Sequence, residues 1–271
     1  MKRVLITGIA GSIGAELARQ LERSYSIYGV DINETGLFDI VTDLGISGRV
    51  GDIRHEQTVR DVFSDFKPQI VFHAAAYKHV TPMEWTPLEA IQTNVMGLYN
   101  LLHYSKVYPV EKFVFISTDK AVQSNSIMGA TKRLGEIMVK NQGKGFVVVR
   151  FGNVLGSRGS VIPIWQRQID QNKPITVTDE RMERYFMTIE EAVRLVIEAS
   201  KIGKGGEIMV LDMGKKVKIM DLAKSLVNSL KGYAEGIEIT GMRSGEVLSE
   251  EIMFEEEKKI AQKINGIYVI K

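Results

Sequence analysis

The chain has 271 residues, which is enough for one large α/β domain or for a nucleotide-binding domain with a smaller substrate lobe. Hydrophobic residues make up 44%, charged residues 25%, and the formal net charge is +2, so the composition carries no electrostatic signature of nucleic-acid binding. The absence of cysteine excludes disulfides, thiolate metal sites and cysteine nucleophiles. No apolar run approaches the ~20 residues of a membrane helix, and the first apolar run leads into a glycine-rich turn rather than a cleavage site, so we expect a cytoplasmic protein without an intrinsic membrane segment.

Short β-branched segments alternate with helix-length amphipathic segments through the first half of the chain. This alternation predicts an α/β fold with a doubly wound parallel sheet and helices on both faces. In chain order, the predicted elements are a strand at 4–6, a helix from residue 13, strands at 26–30 and 70–74, a helix at 90–105, a strand at 113–117, a helix at 126–141 and a strand at 146–150.

The spacing becomes irregular after residue 150. A loop rich in Gly and Ser at 152–160 precedes a predicted helix at 163–171, a strand at 175–177, a helix at 189–200 and a strand at 207–212. We expect a small mixed lobe to hold residues 220–230 and the C-terminus. The predicted organisation is a first domain over 1–155, to which the chain returns at about 186–212, and a smaller C-terminal substrate-binding region over 156–271.

Three glycines separate the first strand from the first helix, in a G-x-x-G-x-x-G spacing. Such a turn lets backbone amides approach a pyrophosphate without Cβ clashes, and the helix N-terminus adds about half a positive charge. A tight strand-to-helix connection is the alternative. The motif predicts a dinucleotide site, with cofactor contacts from Gly8, Gly11, Ser12, Ile13 and Gly14.

Two carboxylates follow the next apolar stretches. Asp31 lies close to the ~20-residue offset at which an acidic side chain accepts from the adenosine ribose, and it would repel a 2′-phosphate. No arginine immediately follows it, so NAD is favoured and NADP stays possible; a solvated turn aspartate is the alternative. Asp52 and Ile53 would give a carboxylate and an apolar wall to the adenine, unless Asp52 is only a helix N-cap.

Small side chains end the strand predicted at 70–74. Ala74, Ala75 and Ala76 would allow a cofactor to pass closely over the edge of the sheet, although plain packing explains them equally well. Lys78 and His79 come directly afterwards and would reach a sugar or a diphosphate. A lone histidine is more often structural than catalytic.

Six blocks of the sequence carry a resemblance to a known family. They are residues 7–14, 74–80, Ser-Thr-Asp-Lys-Ala at 117–121, Met-Gly-Ala-Thr-Lys at 128–132, Arg-Phe-Gly-Asn-Val at 150–154 and Gly-Met-Arg-Ser-Gly-Glu at 241–246. In this order and spacing they resemble the extended short-chain dehydrogenase/reductases and, among these, the catalytic domain of the polysaccharide-biosynthesis UDP-GlcNAc 4,6-dehydratases. The resemblance implies a Rossmann-like fold, NAD or NADP, a UDP-GlcNAc-related substrate and a homo-oligomer formed through the helices at 90–105 and 126–141.

The resemblance also implies a reaction. Transient oxidation at C4 of the sugar acidifies the C5 proton, water is lost across C5 and C6, and hydride returns to C6. The implied roles are Lys120 as the C5 base, Asp119 as the acid at the C6 oxygen, and Ser117 or Thr118 as the group holding the 4-hydroxyl. A base role requires that burial lower the pKa of Lys120 from ~10.4, whereas the alternative is a charged turn exposed to water.

Met128 stands where the superfamily has its catalytic tyrosine, four residues before Lys132. A thioether is not a useful proton acceptor, so this residue disfavours a tyrosine-driven dehydrogenase or epimerase, while one branch of the dehydratases has the same substitution. A water held by Thr118 and Lys132, or Asp119 itself, are the candidates to replace the tyrosine. The resemblance places Lys132 on the nicotinamide ribose, whereas an isolated helical lysine would be solvated by default.

Further contacts follow from the same resemblance. Ser117 and Asn94 are expected on the cofactor, and Arg184 is either a diphosphate ligand or a member of a surface ion pair. The acidic residues at 250–251 and 255–257 are expected on a solvated helix face, without metal-site spacing. The substrate-binding residues that we expect are Lys78, His79, Asn153, Val154, Ser160, Val161, Arg184, Arg243 and Glu246.

Two other functions are compatible with the nucleotide motif. A UDP-hexose or UDP-GlcNAc 4-epimerase would use the same cofactor and the same 4-keto intermediate, but it has no need of the Asp119–Lys120 pair. A non-catalytic NAD(P)-binding regulator would leave that pair unexplained.

Overall fold

The computed structural model describes residues 1–229 and 235–271. Its strands are β1 (Arg3–Thr7), β2 (Ser26–Asp31), β3 (Ser47–Val50), β4 (Ile70–His73), β5 (Lys112–Thr118), β6 (Phe146–Phe151), β7 (Asn153–Val154), β8 (Ile175–Val177), β9 (Glu183–Arg184), β10 (Phe186–Met187), β11 (Ile208–Leu211), β12 (Val217–Lys218), β13 (Ile237–Ile239), β14 (Gln262–Ile264) and β15 (Ile267–Ile270). Its α-helices are α1 (Ser12–Leu21), α2 (Glu34–Leu44), α3 (Glu56–Phe66), α4 (Val80–Trp85), α5 (Pro87–Ile91), α6 (Gly97–Val107), α7 (Ile127–Lys140), α8 (Val161–Asp170), α9 (Ile189–Ile202), α10 (Ile219–Ser229) and α11 (Glu255–Ile260).

One nine-stranded sheet organises the molecule, in the order β14-β15-β11-β6-β5-β4-β1-β2-β3. The seven strands β11-β6-β5-β4-β1-β2-β3 pair in parallel with their neighbours in the sheet. Taken from the other edge, the run β3-β2-β1-β4-β5-β6 is the strand order of a dinucleotide-binding fold. Every residue of β6 is buried, as expected for a central parallel strand with helices on both faces. The predicted Rossmann-like fold is confirmed.

The C-terminal residues differ from the prediction. They were expected in the small lobe, but β15 pairs antiparallel with β11 and β14 pairs antiparallel with β15, which extends the main sheet. Ile267 and Ile270 are buried in the main core. The pairing supplies partners for the backbone groups that β11 would otherwise expose at the sheet edge. The predicted element at 220–230 matches α10 as far as Ser229, and residue 230 lies outside the described residues.

A second hydrophobic core marks the smaller lobe. Trp165 of α8 is fully buried there with Ile175, Val177 and Met220. The Trp165 indole nitrogen donates to the Thr176 carbonyl at 2.7 Å, so the ring is fixed by a hydrogen bond as well as by packing. The chain returns from this lobe to the main sheet through α9 and β11, close to the predicted 186–212.

The helix predicted at 90–105 is interrupted. A π-helical segment, Gln92–Met96, separates α5 from α6. Such segments re-aim side chains, and here Asn94 points at the Tyr77 backbone, accepting from its N–H at 2.9 Å and donating to its carbonyl at 3.0 Å. Over residues 1–229 and 235–271, no helix has both the length and the apolar character required to span a bilayer.

A buried ion cluster ties β6 to two helices. The fully buried Arg150 guanidinium makes two hydrogen bonds to Glu136 of α7, at 2.9 and 2.8 Å, and a third at 2.6 Å to Glu257 of α11. The Ser117 hydroxyl donates to Glu136 at 2.7 Å. Glu257 was expected on a solvated face, but its side chain is only 12% exposed, because it neutralises an arginine that has no access to water.

We expect Arg150→Met to lower the free energy of unfolding by about 3–5 kcal/mol, because Glu136 would lose its buried cation and keep only the partly exposed Arg133 and the Ser117 hydroxyl as partners. The measurement is urea denaturation at pH 7. Arg181→Met is the control, since the Arg181–Asp179 pair is on the surface and contributes at most about 1 kcal/mol. A loss below about 1 kcal/mol for Arg150→Met would mean that the cluster does not hold the fold together.

Candidate active site

The glycine turn forms one wall of a cleft of about 250 Å³ at the carboxyl ends of β1, β2 and β4. Gly8 has a φ of +73°, and a Cβ on it would lie 2.6 Å from the Ala75 backbone nitrogen. A Cβ on Gly14 would collide with the Gly8 carbonyl oxygen. Glycine is therefore required at position 8 for the turn to approach the residues after β4, and at position 14 for α1 to pack on the turn. Gly11, Ala74 and Ala76 also line the cleft, as the sequence predicts.

Asp31 lines the same cleft and holds the glycine turn in place. One carboxylate oxygen accepts from the Ala10 N–H at 2.8 Å, and the other accepts from the Asn33 N–H at 2.9 Å. Both contacts leave lone pairs on the carboxylate for ribose hydroxyls. Asp31 is partly buried, and its carboxylate is held by backbone N–H groups of the glycine turn and of its own turn, so it is ordered at the cleft.

Asp52 and Ile53 line the cleft opposite the glycine turn. The Asp52 carboxylate accepts from the Arg54 backbone N–H at 2.9 Å and pairs with the Arg54 guanidinium at 2.7 Å. The N-cap of α3 is His55, so the alternative that Asp52 serves as that cap is wrong. Arg54 itself is held by a second carboxylate, Glu89, at 2.7 Å.

Thr118, Asp119 and Lys120 lie where β5 ends in a 3₁₀ turn. The Asp119 side chain is fully buried, and its Oδ1 accepts from the Thr118 hydroxyl at 2.9 Å and from the Lys120 Nζ at 3.0 Å. Its Oδ2 is buried without a hydrogen-bond partner. The alternative of a charged turn exposed to water is therefore wrong. A Cβ on Gly129 would collide with the Lys120 carbonyl, so this glycine lets α7 pack on the turn.

The Lys120 ammonium contacts a second carboxylate, which was not among the expected site residues. Glu250 Oε1 lies 3.2 Å away, and Asn153 Oδ1 lies at 3.4 Å on another side. Burial lowers the pKa of Lys120, but the charges of Asp119 and Glu250 outweigh it, and the net pKa is raised. The expectation of a lowered pKa for Lys120 is wrong for this state of the site. Glu250 was expected on a solvated face, and only 5% of it is exposed.

Arg184 has partners within its own lobe. Its guanidinium donates to the Leu248 carbonyl at 3.1 Å and to the Val247 carbonyl at 2.8 Å, and its Nε lies 3.4 Å from Glu250. The side chain is only 12% exposed, so the surface ion-pair alternative is wrong. These contacts hold the Arg184 guanidinium beside Glu250, and the diphosphate contact stays a prediction.

Two of the expected cofactor residues make hydrogen bonds within the protein. The Ser117 hydroxyl donates to Glu136 at 2.7 Å beneath the sheet edge, so Thr118 is better placed than Ser117 to hold a sugar hydroxyl. The Asn94 amide is satisfied by the Tyr77 backbone and by the Thr131 hydroxyl at 3.0 Å. Asn94 therefore supports the cleft wall from behind.

Met128 and Lys132 are both buried on the inner side of α7. Met128 packs against Met83 and Ala90. The Lys132 Nζ donates to the Ile116 carbonyl at 2.6 Å, and burial lowers its pKa to about 8. The expectation that an isolated helical lysine is solvated is wrong here, because the stem of Lys132 lies under β5.

The loop at 152–160 crosses from β6 to α8 over the glycine turn. The Arg158 N–H donates to the Ser12 hydroxyl at 3.1 Å, and the Lys78 Nζ donates to the Arg158 carbonyl at 2.7 Å. A Cβ on Gly159 would lie 2.7 Å from the His79 ring. The loop thus brings the expected residues Asn153, Val154, Ser160 and Val161 to the side of the cleft where Ser12, Lys78 and His79 lie.

The block at 241–246 reaches the same region from the small lobe. The Glu246 carboxylate accepts from the Arg243 N–H at 2.9 Å, while the Arg243 side chain is exposed. A Cβ on Gly245 would lie 2.7 Å from Val80, at the start of α4. The block therefore packs against the start of α4, and in the described structure neither Arg243 nor Glu246 contacts Asp119 or Lys120.

Comparison with known proteins identifies the family. The family model described as "Polysaccharide biosynthesis protein" matches residues 4–271. The chain belongs to this family. It is 45% identical to the capsular polysaccharide biosynthesis protein CapD of Staphylococcus aureus over 98% of this chain and 47% of that protein, so it spans about half the length of that relative. The predicted resemblance is confirmed at the level of the family.

Other family relatives carry two different activity names. A UDP-glucose 4-epimerase of Rickettsia bellii is 35% identical over 99% of this chain and 82% of its own length. A UDP-N-acetylglucosamine 4,6-dehydratase (inverting) of Campylobacter jejuni is 31% identical over 99% of this chain and 82% of its own length. The relatives of this chain therefore include proteins named for each of these two activities.

Solved structures of related proteins have the same fold. Pen from Bacillus thuringiensis is 35% identical and superimposes with a TM-score of 0.93 over 99% of this chain and 87% of its own. The Bordetella bronchiseptica enzyme WbmH, solved in complex with NAD⁺, is 26% identical with a TM-score of 0.77 over 93% of this chain and 89% of its own.

The buried Lys132 predicts a pH dependence of stability. Its pKa is about 8 in the folded protein and 10.5 when unfolded, so the unfolded chain binds more protons between these values and stability rises with pH there. We expect the wild type to gain ~2–3 kcal/mol relative to Lys132→Met between pH 7 and pH 10. Urea denaturation at both pH values measures this. Lys140→Met, an exposed change on the same helix, should show no such gain.

Proposed function

We propose that this protein is an NAD-dependent 4,6-dehydratase, a hydro-lyase that converts UDP-N-acetylglucosamine to a UDP-4-keto-6-deoxy-N-acetylhexosamine in surface polysaccharide or glycan biosynthesis. The observation that carries the proposal is the buried Asp119–Lys120 pair at the carboxyl end of β5. In a sheet of this order, ligands bind outside the carboxyl ends of the strands. An acid and a base in contact at that edge match the two groups that elimination of water requires.

NAD is the cofactor that the cleft fits. Gly8, Gly11 and Gly14 leave room for a pyrophosphate beside the N-terminus of α1, and Asp31 lies at the end of β2, where it favours an unphosphorylated ribose. Bound NAD would take a hydride from C4 of the sugar and later return it to C6. The structure of WbmH with NAD⁺ supports this assignment.

The pair can reach its reactive form without an external proton. In the structure the charges of Asp119 and Glu250 favour the Lys120 ammonium. Transfer of one proton across the 3.0 Å contact from Lys120 to Asp119 gives a neutral amine and a carboxylic acid. The amine then takes the C5 proton, and the acid protonates the departing C6 hydroxyl, which leaves as water.

Thr118 and Lys132 are the candidates to hold a water in place of the missing tyrosine. The Thr118 hydroxyl is adjacent to Asp119, and Lys132 has a pKa of about 8 because of burial, so both are suited to bind a water that accepts the 4-hydroxyl proton. Met128 itself supplies only packing. Its place in an apolar cluster agrees with its lack of acid–base chemistry.

A 4-epimerase is the second candidate, because the Rickettsia bellii relative with that name matches this chain over 99% of its length. Epimerisation needs hydride transfer at C4 but no proton transfer at C5. The experiment is incubation of the protein with NAD and UDP-GlcNAc in D₂O, followed by NMR of the sugar. We expect a 4-keto-6-deoxy product with deuterium at C5; UDP-GalNAc without C5 deuterium would establish the epimerase, and unchanged substrate with bound NAD would establish a non-catalytic regulator.

Lys120→Met tests the role of the base. We expect elimination to fall by about 10²–10⁴-fold, because a positioned base is lost, while NAD affinity measured by fluorescence stays within about twofold. Lys140→Met again serves as the matched control on an exposed lysine. Loss of NAD binding together with elimination would contradict the assigned role.

We further propose that the protein self-associates through α5, α6 and α7, as the family resemblance implies. These helices expose large apolar side chains, including Leu88, Tyr99, Leu134 and Ile137. We expect sedimentation velocity to show a species larger than the monomer, and Tyr99→Glu with Leu134→Glu to shift it towards the monomer. A monomeric wild type at micromolar concentration would contradict the proposal.

A further inference from the structure

Glu250 brings a second carboxylate to Lys120 from a distant part of the chain. Its Oε1 lies 3.2 Å from the Lys120 Nζ and 3.4 Å from the Arg184 Nε, and only 5% of the residue is exposed. A buried carboxylate costs several kcal/mol of desolvation unless it is paired. The Glu250 side chain is therefore held in place by these two cations.

The backbone around Glu250 is fixed on both sides. On the N-terminal side, Arg184 donates to the carbonyls of Val247 and Leu248, and Ser249 forms a bridge with Glu183. On the C-terminal side, the buried Arg150 donates to the Ile252 carbonyl at 3.1 Å. Three anchors across six residues leave the carboxylate little freedom to turn away from Lys120.

The charges that face this cluster come from several elements. Asp119 and Lys120 lie on the turn after β5, Arg184 on β9 and Glu250 on the segment before α11. Lys78, beyond β4, is close enough for its charge and that of Lys120 to repel. Two carboxylates thus balance Lys120 and Arg184, and the position of one proton decides whether Lys120 can act as a base.

We propose that Glu250 is a positioning residue that, while it is ionised, holds Lys120 as an ammonium and so decides when the Asp119–Lys120 pair becomes reactive. The inference rests on the proposed function for its catalytic consequence. While Glu250 is ionised, the Lys120 proton is stabilised by two carboxylates, and its transfer to Asp119 is unfavourable. When Glu250 takes up a proton from solvent, Lys120 keeps one carboxylate partner, and its own proton passes to Asp119 across their contact. No proton is gained or lost by the Asp119–Lys120 pair in this step.

The raised pKa of Glu250, caused first by burial, agrees with this role, because it makes neutralisation by entry of a ligand less costly than for an exposed glutamate. Neighbouring Glu251 differs in every respect that matters. It pairs with Lys216 and Lys258 and is about one-third exposed. The chain therefore offers an adjacent glutamate as a matched control.

The experiment compares wild type, Glu250→Gln and Glu251→Gln as full-length folded proteins. Trace acetylation with acetic anhydride at pH 8, followed by peptide mass spectrometry, reports the neutral fraction of Lys120. We expect Glu250→Gln to raise the Lys120 labelling rate at least tenfold, since loss of an opposite charge lowers a lysine pKa by about one unit or more. Glu251→Gln should leave it unchanged. Equal Lys120 labelling in wild type and Glu250→Gln overturns the proposal.

A further variant and further measurements distinguish the proposed role of Glu250 from a purely structural one. Glu250→Asp keeps the charge, so we expect it to restore slow labelling, and thermal unfolding checks that all variants are folded. If Glu250→Gln does not fold, the wild type alone is labelled over a range of pH. A Lys120 labelling rate that rises as the pH is lowered and Glu250 is protonated supports the proposal. A labelling rate that only falls as the pH is lowered overturns it.

Activity gives the second readout. For Glu250→Gln we expect the acidic limb of the kcat profile for elimination to move at least one pH unit lower, because the amine is neutral at lower pH. An unmoved limb overturns the proposal even if the rate falls. If the protein performs no elimination, the proposed function fails, while the labelling result still tests the role of Glu250. If the wild type performs elimination and Lys120 is labelled equally in the wild type and in Glu250→Gln, only the role of Glu250 is rejected.

Discussion

The Lys120 ammonium lies between carboxylates from two distant parts of the chain, and the site is built around this contact. Asp119 approaches it from the end of β5 at 3.0 Å and Glu250 from the segment before α11 at 3.2 Å. Buried charges persist only when they are paired and hydrogen-bonded, so the segment before α11 must dock on the sheet edge for Glu250 to reach its cation partner. The charge balance of the site therefore depends on how this segment packs on the main sheet.

A second buried cluster lies at the other end of the same segment. Arg150 binds Glu136, Glu257 and the Ile252 carbonyl, while Glu250 and Glu257 are only seven residues apart. The segment between them spans the distance from the core to the site. Because the arginine is fully buried, its partners are held with little freedom, and this rigidity is transmitted to the Lys120 contact.

The strand order explains why nucleotide cleft and acid–base pair are neighbours. Parallel strands end on the same edge of the sheet, so the glycine turn after β1, Asp31 at the end of β2 and Asp119 after β5 lie on one side of the molecule. This edge is where open α/β sheets bind ligands. Family membership and similarity to Pen agree with that arrangement.

Local patterns in the sequence determined the alternation of strands and helices, the glycine turn, Asp31 and the Asp119–Lys120 pair, because each depends on residues that are neighbours in the chain. The tertiary structure alone decided the contact of Glu250 with Lys120, the hydrogen bond from Ser117 to Glu136, the partners of Arg184 and the addition of β14 and β15 to the main sheet. In each of these cases the deciding partner is far away in sequence; Glu250 and Lys120 are 130 residues apart. A run of acidic residues is the same in sequence whether it faces water or a buried cation, and only packing decides which.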